Sequence, residues 1–313
     1  YPPHQLNAFD KLLAAKYAGL HIPFPSARSS APESGRAVCC NNGVCKICPI
    51  SAKFQIDLHM AHLYEDSRIT LLEGATVDQL DIQAGSVVGV QYERGGSEHS
   101  ANADLVVVGA HGIMTPFILL KSGIRNQVLG RYLNEQVACD VLLNLNGVDN
   151  FDGGQSISGL GLMFLDGATR SLRPGCLVES WNSPWLRAER GRWRQRAAIK
   201  FVFEDVPAFD NYVGISKKDD RKPEVFYSGY STYAQAGLES VRGLVEELID
   251  GLPVESFDIK PLPNFGSVQH IQGTTRMGSF PDESVVDRDL RHHSIRNLVV
   301  LGAGVFPTCP AAN

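Results

Sequence analysis

No run of about 18 apolar residues occurs anywhere in these 313 residues, so no segment of the chain reads as a membrane-spanning helix. Basic tracts and aromatic-basic platforms of the kind that track phosphates are also lacking, and the net charge of −5 gives a nucleic acid nothing to hold. A strand-to-helix Gly-x-Gly-x-x-Gly turn is missing, which removes the usual phosphate cradle of dinucleotide sites. The acidic residues Asp282, Glu283 and Asp287 lack the partnered spacing of an acid-base pair, and Asp287 reads instead as the residue that orders the turn after Val286. No internal repeat is visible. What remains is a chain of mixed charge and ordinary apolar content, long enough for one large or two ordinary domains.

The most informative stretch is residues 270–313. His270 is followed by Gly273 and Thr274, so the chain turns sharply just after the imidazole and can aim the ring into a cavity. Histidine is the side chain suited to accept a proton near neutral pH. Residues 297–304, Asn-Leu-Val-Val-Leu-Gly-Ala-Gly, read as a short buried parallel strand that ends in small residues, where a ligand can approach the backbone. Pro307 and Pro310 stiffen the loop that delivers Asn313, whose amide both donates and accepts hydrogen bonds. A base and an amide together suit removal of a proton from an alcohol. Read as residues alone, His270 fits a structural role as well.

Residues 6–17 and 233–249 read as amphipathic helices, and 54–64 and 116–122 as further helices, the last starting at Pro116. Residues 69–75, 77–82, 86–93 and 105–108 read as strands, and so do 137–145, 161–165, 197–204, 212–215 and 224–228. His59 and His62 share one helix face without a third ligand, and His292 and His293 read as exposed turn residues. Trp181, Trp185 and Trp193 surround Pro184, where they can line a sugar site or serve as core and rim packing. Cys139, Cys176 and Cys309 are scattered and read as small buried hydrophobes.

Four of the seven cysteines fall within residues 39–48, with the spacing Cys-x4-Cys-x2-Cys from Cys40 through Cys45 to Cys48. Such a loop can wrap thiolates around one metal centre, with Cys39 as the alternative ligand to Cys40. An iron-sulfur cluster, disulfides and an all-cysteine zinc site compete for it.

The pattern His-x-x-Gly-Thr-x-Arg-Met-Gly from His270, then Ser-Val-Val-Asp, Asn-Leu-Val-Val and Val-Phe-Pro-Thr, closely resembles the C-terminal signature of the glucose-methanol-choline (GMC) flavoprotein oxidoreductases. Three more segments resemble that family in the same order: Cys48-Pro-Ile-Ser-Ala-Lys53, the run from Asp104 to Gly123, and Gly130-Arg-Tyr-Leu-Asn134. The resemblance implies an α/β fold with an incomplete FAD-binding, Rossmann-like domain at 1–130. An α+β, antiparallel-sheet substrate domain would follow at 131–263, and 264–313 would be a return segment carrying the catalytic residues. It implies His270 and Asn313 as the catalytic pair, and Val77, Gly109, Ala110, Gly302 and Ala303 as contacts to FAD. The activity implied is oxidation of a CH-OH group of an alcohol or sugar.

The cysteine loop resembles that of the sugar, fructose and gluconate dehydrogenase branch, which implies a 3Fe-4S cluster on Cys40, Cys45 and Cys48. Electrons would then pass to a cytochrome c subunit or a quinone, and the location would be periplasmic or membrane-associated. Without a cluster, oxygen becomes the acceptor. Because the family opens with a dinucleotide fingerprint and continues beyond the position of Asn313, the chain is expected to be a fragment that holds FAD weakly and is inactive alone. A metal-carrying module centred on 39–48 is the reading from another class.

Overall fold

The computed structural model describes residues 2–33, 35–41, 48–260 and 268–312. Helix α1 (Ala8–Lys16) starts at Asn7, whose side chain accepts the Asp10 backbone N–H, and leads to strand β1 (His21–Pro23). The segment read as one helix over 54–64 is two single turns, α2 (Ile56–His59) and α3 (Ala61–Tyr64), broken at Met60. Neither turn buries a side chain, so nothing outside the helix holds a longer one together. Strands β2 (Ala75–Gln83), β3 (Ser86–Arg94) and β4 (Ser97–Asn102) form an antiparallel meander. Residues 69–74, also read as strand, stay outside it. Strand β5 (Val106–Val108) then runs into helix α4 (His111–Lys121).

The remaining chain alternates strands with long connections: β6 (Val137–Leu145), β7 (Ile157–Phe164), β8 (Cys176–Trp181), β9 (Arg196–Phe203) and the hairpin β10 (Tyr212–Ile215) with β11 (Pro223–Phe226). Helix α5 (Thr232–Ile249), β12 (Val254–Lys260) and β13 (Leu298–Val300) complete it. Two of these strands escaped the sequence reading. In β12 the run Val-Glu-Ser-Phe-Asp-Ile-Lys dilutes its apolar face, and β8 follows a Pro-Gly pair that reads as loop.

Six strands form one antiparallel sheet in the order β1-β7-β8-β9-β6-β12. Its period-two pattern separates two faces. Val137, Cys139, Val141, Leu143 and Leu145 of β6, with Ile199, Phe201 and Phe203 of β9, pack against Val241, Leu244, Val245 and Leu248 of α5 and against Phe9 and Leu13 of α1. Thus α1 and β1 belong by contact to this sheet, although sequence order groups them with the 1–130 region. The opposite face carries Ala138, Leu177 and Val202, covered by Ala311 of the C-terminal loop.

The second core joins the meander to α4 and to a parallel pair, β13 with β5, in which Val106, Val108, Leu298 and Val300 are buried. Parallel strands normally have both faces covered. Here Leu105, Val107 and Leu301 on the other face are exposed. Among the described residues, no helix is long and apolar enough to cross a membrane.

Candidate active site

The segment that carries His270 is held between the two cores by its backbone. Gln272 and Asn134 exchange N–H to O bonds of 2.9 and 3.2 Å, Gly130 N–H donates to Thr274 O at 2.8 Å, and Thr275 N–H donates to Gly304 O at 2.8 Å. Gly273 sits at φ +91°, and a Cβ there would lie 2.2 Å from the Tyr132 carbonyl oxygen. Only glycine fits such a position.

Thr274 is fully buried, and its hydroxyl donates to Gly112 O at 2.6 Å. That bond explains why α4 starts before Pro116 rather than at it. Pro116 lies inside α4 rather than at its first turn, and a proline cannot donate to the carbonyl four residues earlier, which is that of Gly112. The orphaned carbonyl is satisfied by Thr274 instead, so α4 begins at His111 and the histidine loop is clamped to it.

His270 is half-buried, and its Nδ1 lies 2.7 Å from Oε1 of Gln136, the residue just before β6. Gln136 is fully buried, and its Nε2 donates to the carbonyls of Pro310 at 2.7 Å and Ala312 at 3.0 Å. Both amide protons are therefore committed to carbonyls, which leaves only the oxygen facing the imidazole. A carbonyl oxygen can only accept, so Nδ1 carries the proton and the Nε2 lone pair of a neutral ring is the free base.

Burial lowers the proton affinity of His270 below its ordinary value, the positive charge of Lys200 lowers it further, and Glu135 opposes them. The ring is neutral at neutral pH. Asn313 lies outside the described residues, but the carbonyls that Gln136 grips belong to the three residues before it. No local signal in the sequence marks Gln136, an isolated polar residue that opens an apolar strand.

Of the candidate cofactor residues, Gly109, Ala110, Gly302 and Ala303 come together. Val108 and Val300 are partners in the parallel register, and Leu301 N–H donates to Val108 O at 2.8 Å, so the four small residues follow the carboxyl ends of adjacent strands. Gly302 has φ +98° and no heavy atom within 4 Å of the Cβ it lacks, which leaves open space over its backbone. Val77 stands apart. It is exposed on β2, next to Asp78, which pairs with Lys121 at the far end of α4.

Cys45 lies outside the described residues. Cys40 is exposed and Cys39 and Cys48 are partly buried, and among the described residues no group of three His, Cys, Asp or Glu side chains can hold a metal ion. Slight burial alone would raise the Cys48 thiol, but the backbone amides of Lys53, Ile50 and Ala52 and the Lys53 charge lower it on balance. Cys139, Cys176 and Cys309 are buried as expected. The expectation for His292 fails: it is 7% exposed, and its Nδ1 accepts the backbone N–H groups of Ser294 and Ile295, both at 3.2 Å, so the ring organises its turn from within. Asp287 does order its turn, accepting from Asp289 and Arg291 N–H at 2.8 and 3.0 Å.

Family models described as GMC oxidoreductase match residues 7–138 and 207–313. The chain belongs to the GMC oxidoreductase family. Within that family it is 28% identical over 275 residues to a C-glycoside 3-oxidase of Arthrobacter globiformis, covering 80% of this chain and 51% of the relative. It is 25% identical to the fructose dehydrogenase large subunit of Gluconobacter japonicus, covering 91% and 58% respectively. The chain thus spans little more than half the length of these curated relatives. The fold is shared with the crystal structure of a pyridoxine 4-oxidase from Mesorbium loti, at 18% identity and a TM-score of 0.63 over 99% of this chain and 68% of the other.

Proposed function

We propose that this chain carries the proton-accepting half of an FAD-dependent oxidation of a CH-OH group in a sugar or related alcohol. The observation that carries the reading is the bond from His270 Nδ1–H to Gln136, which leaves Nε2 as a fixed, neutral base. Names of relatives, a C-glycoside 3-oxidase and a fructose dehydrogenase large subunit, supply the substrate class.

A bound FAD would supply the acceptor for the hydride of the carbinol carbon. The small residues 109–110 and 302–303 fit a cofactor at the strand ends, where ligands of open parallel sheets bind and where Gly302 leaves its backbone accessible. His270 Nε2 takes the hydroxyl proton and becomes imidazolium, its Nδ1–H still bonded to Gln136. Glu135 offsets part of the cost of that new charge. Asn313 would donate its amide to the substrate oxygen as the carbonyl forms, from a loop tied down through Pro310 and Ala312.

The cysteine loop is a different matter. Among the described residues, the thiols of Cys39, Cys40 and Cys48 do not form a three-ligand set, and Cys45 lies outside them.

Two measurements test the assignment. Changing Gln136 to Leu strands the Nδ1–H and the two carbonyls, and removing one partner of a buried hydrogen bond costs about 1–3 kcal/mol, roughly 5- to 150-fold if the whole cost falls on the rate. Anaerobic flavin reduction by a sugar substrate should slow by that factor, and an unchanged rate would show that Gln136 does not set the ring. The pH profile is the second. Because burial lowers the His270 value, the acid limb of kcat/KM for flavin reduction should lie below about pH 6.5, the ordinary histidine value. In Glu135→Gln the limb should move further toward acid, since the imidazolium loses an attractive charge. A shift toward alkali would contradict the assignment of that limb to His270.

A further inference from the structure

The sheet face that ends at Gln136 carries a second feature. Along β6 the side chains sharing this face are Ala138, Asp140 and Leu142, with Cys139 and Val141 in the opposite core. Register with β9 and β8 sorts the face into rows. Ala138, Val202 and Leu177 lie under Ala311; Asp140, Lys200 and Glu179 come next; Leu142, Ala198 and Trp181 form the third. Above the last two rows is a cleft of about 130 Å³ lined by Asp140, Lys200, Leu142, Ala198, Trp181 and Trp185.

The chemistry of this lining is specific. Lys200 Nζ stands 5.3 Å from the Trp181 ring centroid and 3.4 Å from an Asp140 carboxylate oxygen, and Trp185 is 47% exposed beside it. An indole held half in water next to an apolar strand row, with no aromatic ring stacked on it among the described residues, is a surface on which a flat face can stack. Tryptophan faces accept the axial C–H face of a pyranose, while a paired ammonium and carboxylate supply donors and acceptors for ring hydroxyls. Asp140 lies four residues along the strand from Gln136, about 13 Å at the usual rise, which is farther than one hexose ring reaches. The cleft and His270 are also joined electrostatically, because Lys200 is close enough to disfavour the imidazolium.

We propose that this cleft is a subsite for a second sugar ring, so that the preferred ligand is a glycoside with one ring at His270 and a neutral pyranose over Trp181 and Trp185. The proposal rests on the oxidoreductase reading only for what lies at His270. Binding is therefore measured without turnover, by titration calorimetry of the protein with methyl cellobioside and with methyl glucoside. The disaccharide should bind at least about tenfold more tightly, as expected when a buried tryptophan contact is gained. In Trp185→Ala that ratio should fall to near unity while the monosaccharide affinity is kept, and Lys200→Met should weaken the disaccharide alone. Trp185 is exposed, so its loss should leave the far-ultraviolet dichroism unchanged. Equal affinity for the two sugars, absence of binding of either, or an unchanged ratio in Trp185→Ala overturns the subsite. His270→Ala should keep the ratio; loss of turnover with the ratio intact would concern the catalytic reading and leave the subsite standing.

Discussion

Replacing His270 by Ala is expected to slow anaerobic reduction of the bound flavin by substrate by about 10² to 10⁴, the usual contribution of a positioned general base. Sugar binding in a calorimeter should change far less. The split follows from when the ring acts. Its Nε2 gains a proton only as the CH-OH group is oxidised, so the interaction strengthens on the way to the transition state and adds little to the ground state. The rate should recover in part as pH rises, because an alkoxide formed by hydroxide needs no imidazole. Equal losses in binding and in reduction rate would sink the assignment and leave His270 as a structural residue.

Gly273→Ala is expected to be strongly destabilising. Adding a Cβ at φ +91° places an L-residue in the left-handed region at about 1–2 kcal/mol. The new atom would also lie 2.2 Å from Tyr132 O, a backbone atom that cannot rotate away. Overpacking of this kind costs about 1–3 kcal/mol more, so the sum is about 2–5 kcal/mol. Domains are stable by only about 5–15 kcal/mol, so the midpoint in urea should fall visibly. Activity should drop even where the variant stays folded, since the same backbone carries His270 three residues earlier. A midpoint unchanged from wild type would mean the loop can move away from Tyr132 at little cost, and the clamp argument would fail.

Much of the fold was legible where one pattern dominated. The alternation in 137–145 and the heptad-like face of 233–249 both correspond to observed elements, because each buries one face against the other. Elements decided by distant partners were not legible. Helix α4 could begin before Pro116 only because a threonine 162 residues away supplies the donor that Gly112 O needs. His292 looked like a surface residue until the amides it accepts were in place.

For the site, the motif from His270 was readable in order, since Gly273 is demanded by a close backbone approach and Thr274 by the bond its buried hydroxyl makes. Gln136 was not, because an isolated polar residue before a strand has no local signature.

The sequence by itself determined the flavoenzyme family, since a histidine before a glycine turn and two small-residue strand ends stand in that family's order. Only the tertiary structure decided which nitrogen of His270 is free. That choice belongs to a glutamine 134 residues away, whose own protons are taken by two carbonyls of the C-terminal loop. A tautomer depends on what faces the ring in space, and no spacing along a chain encodes it.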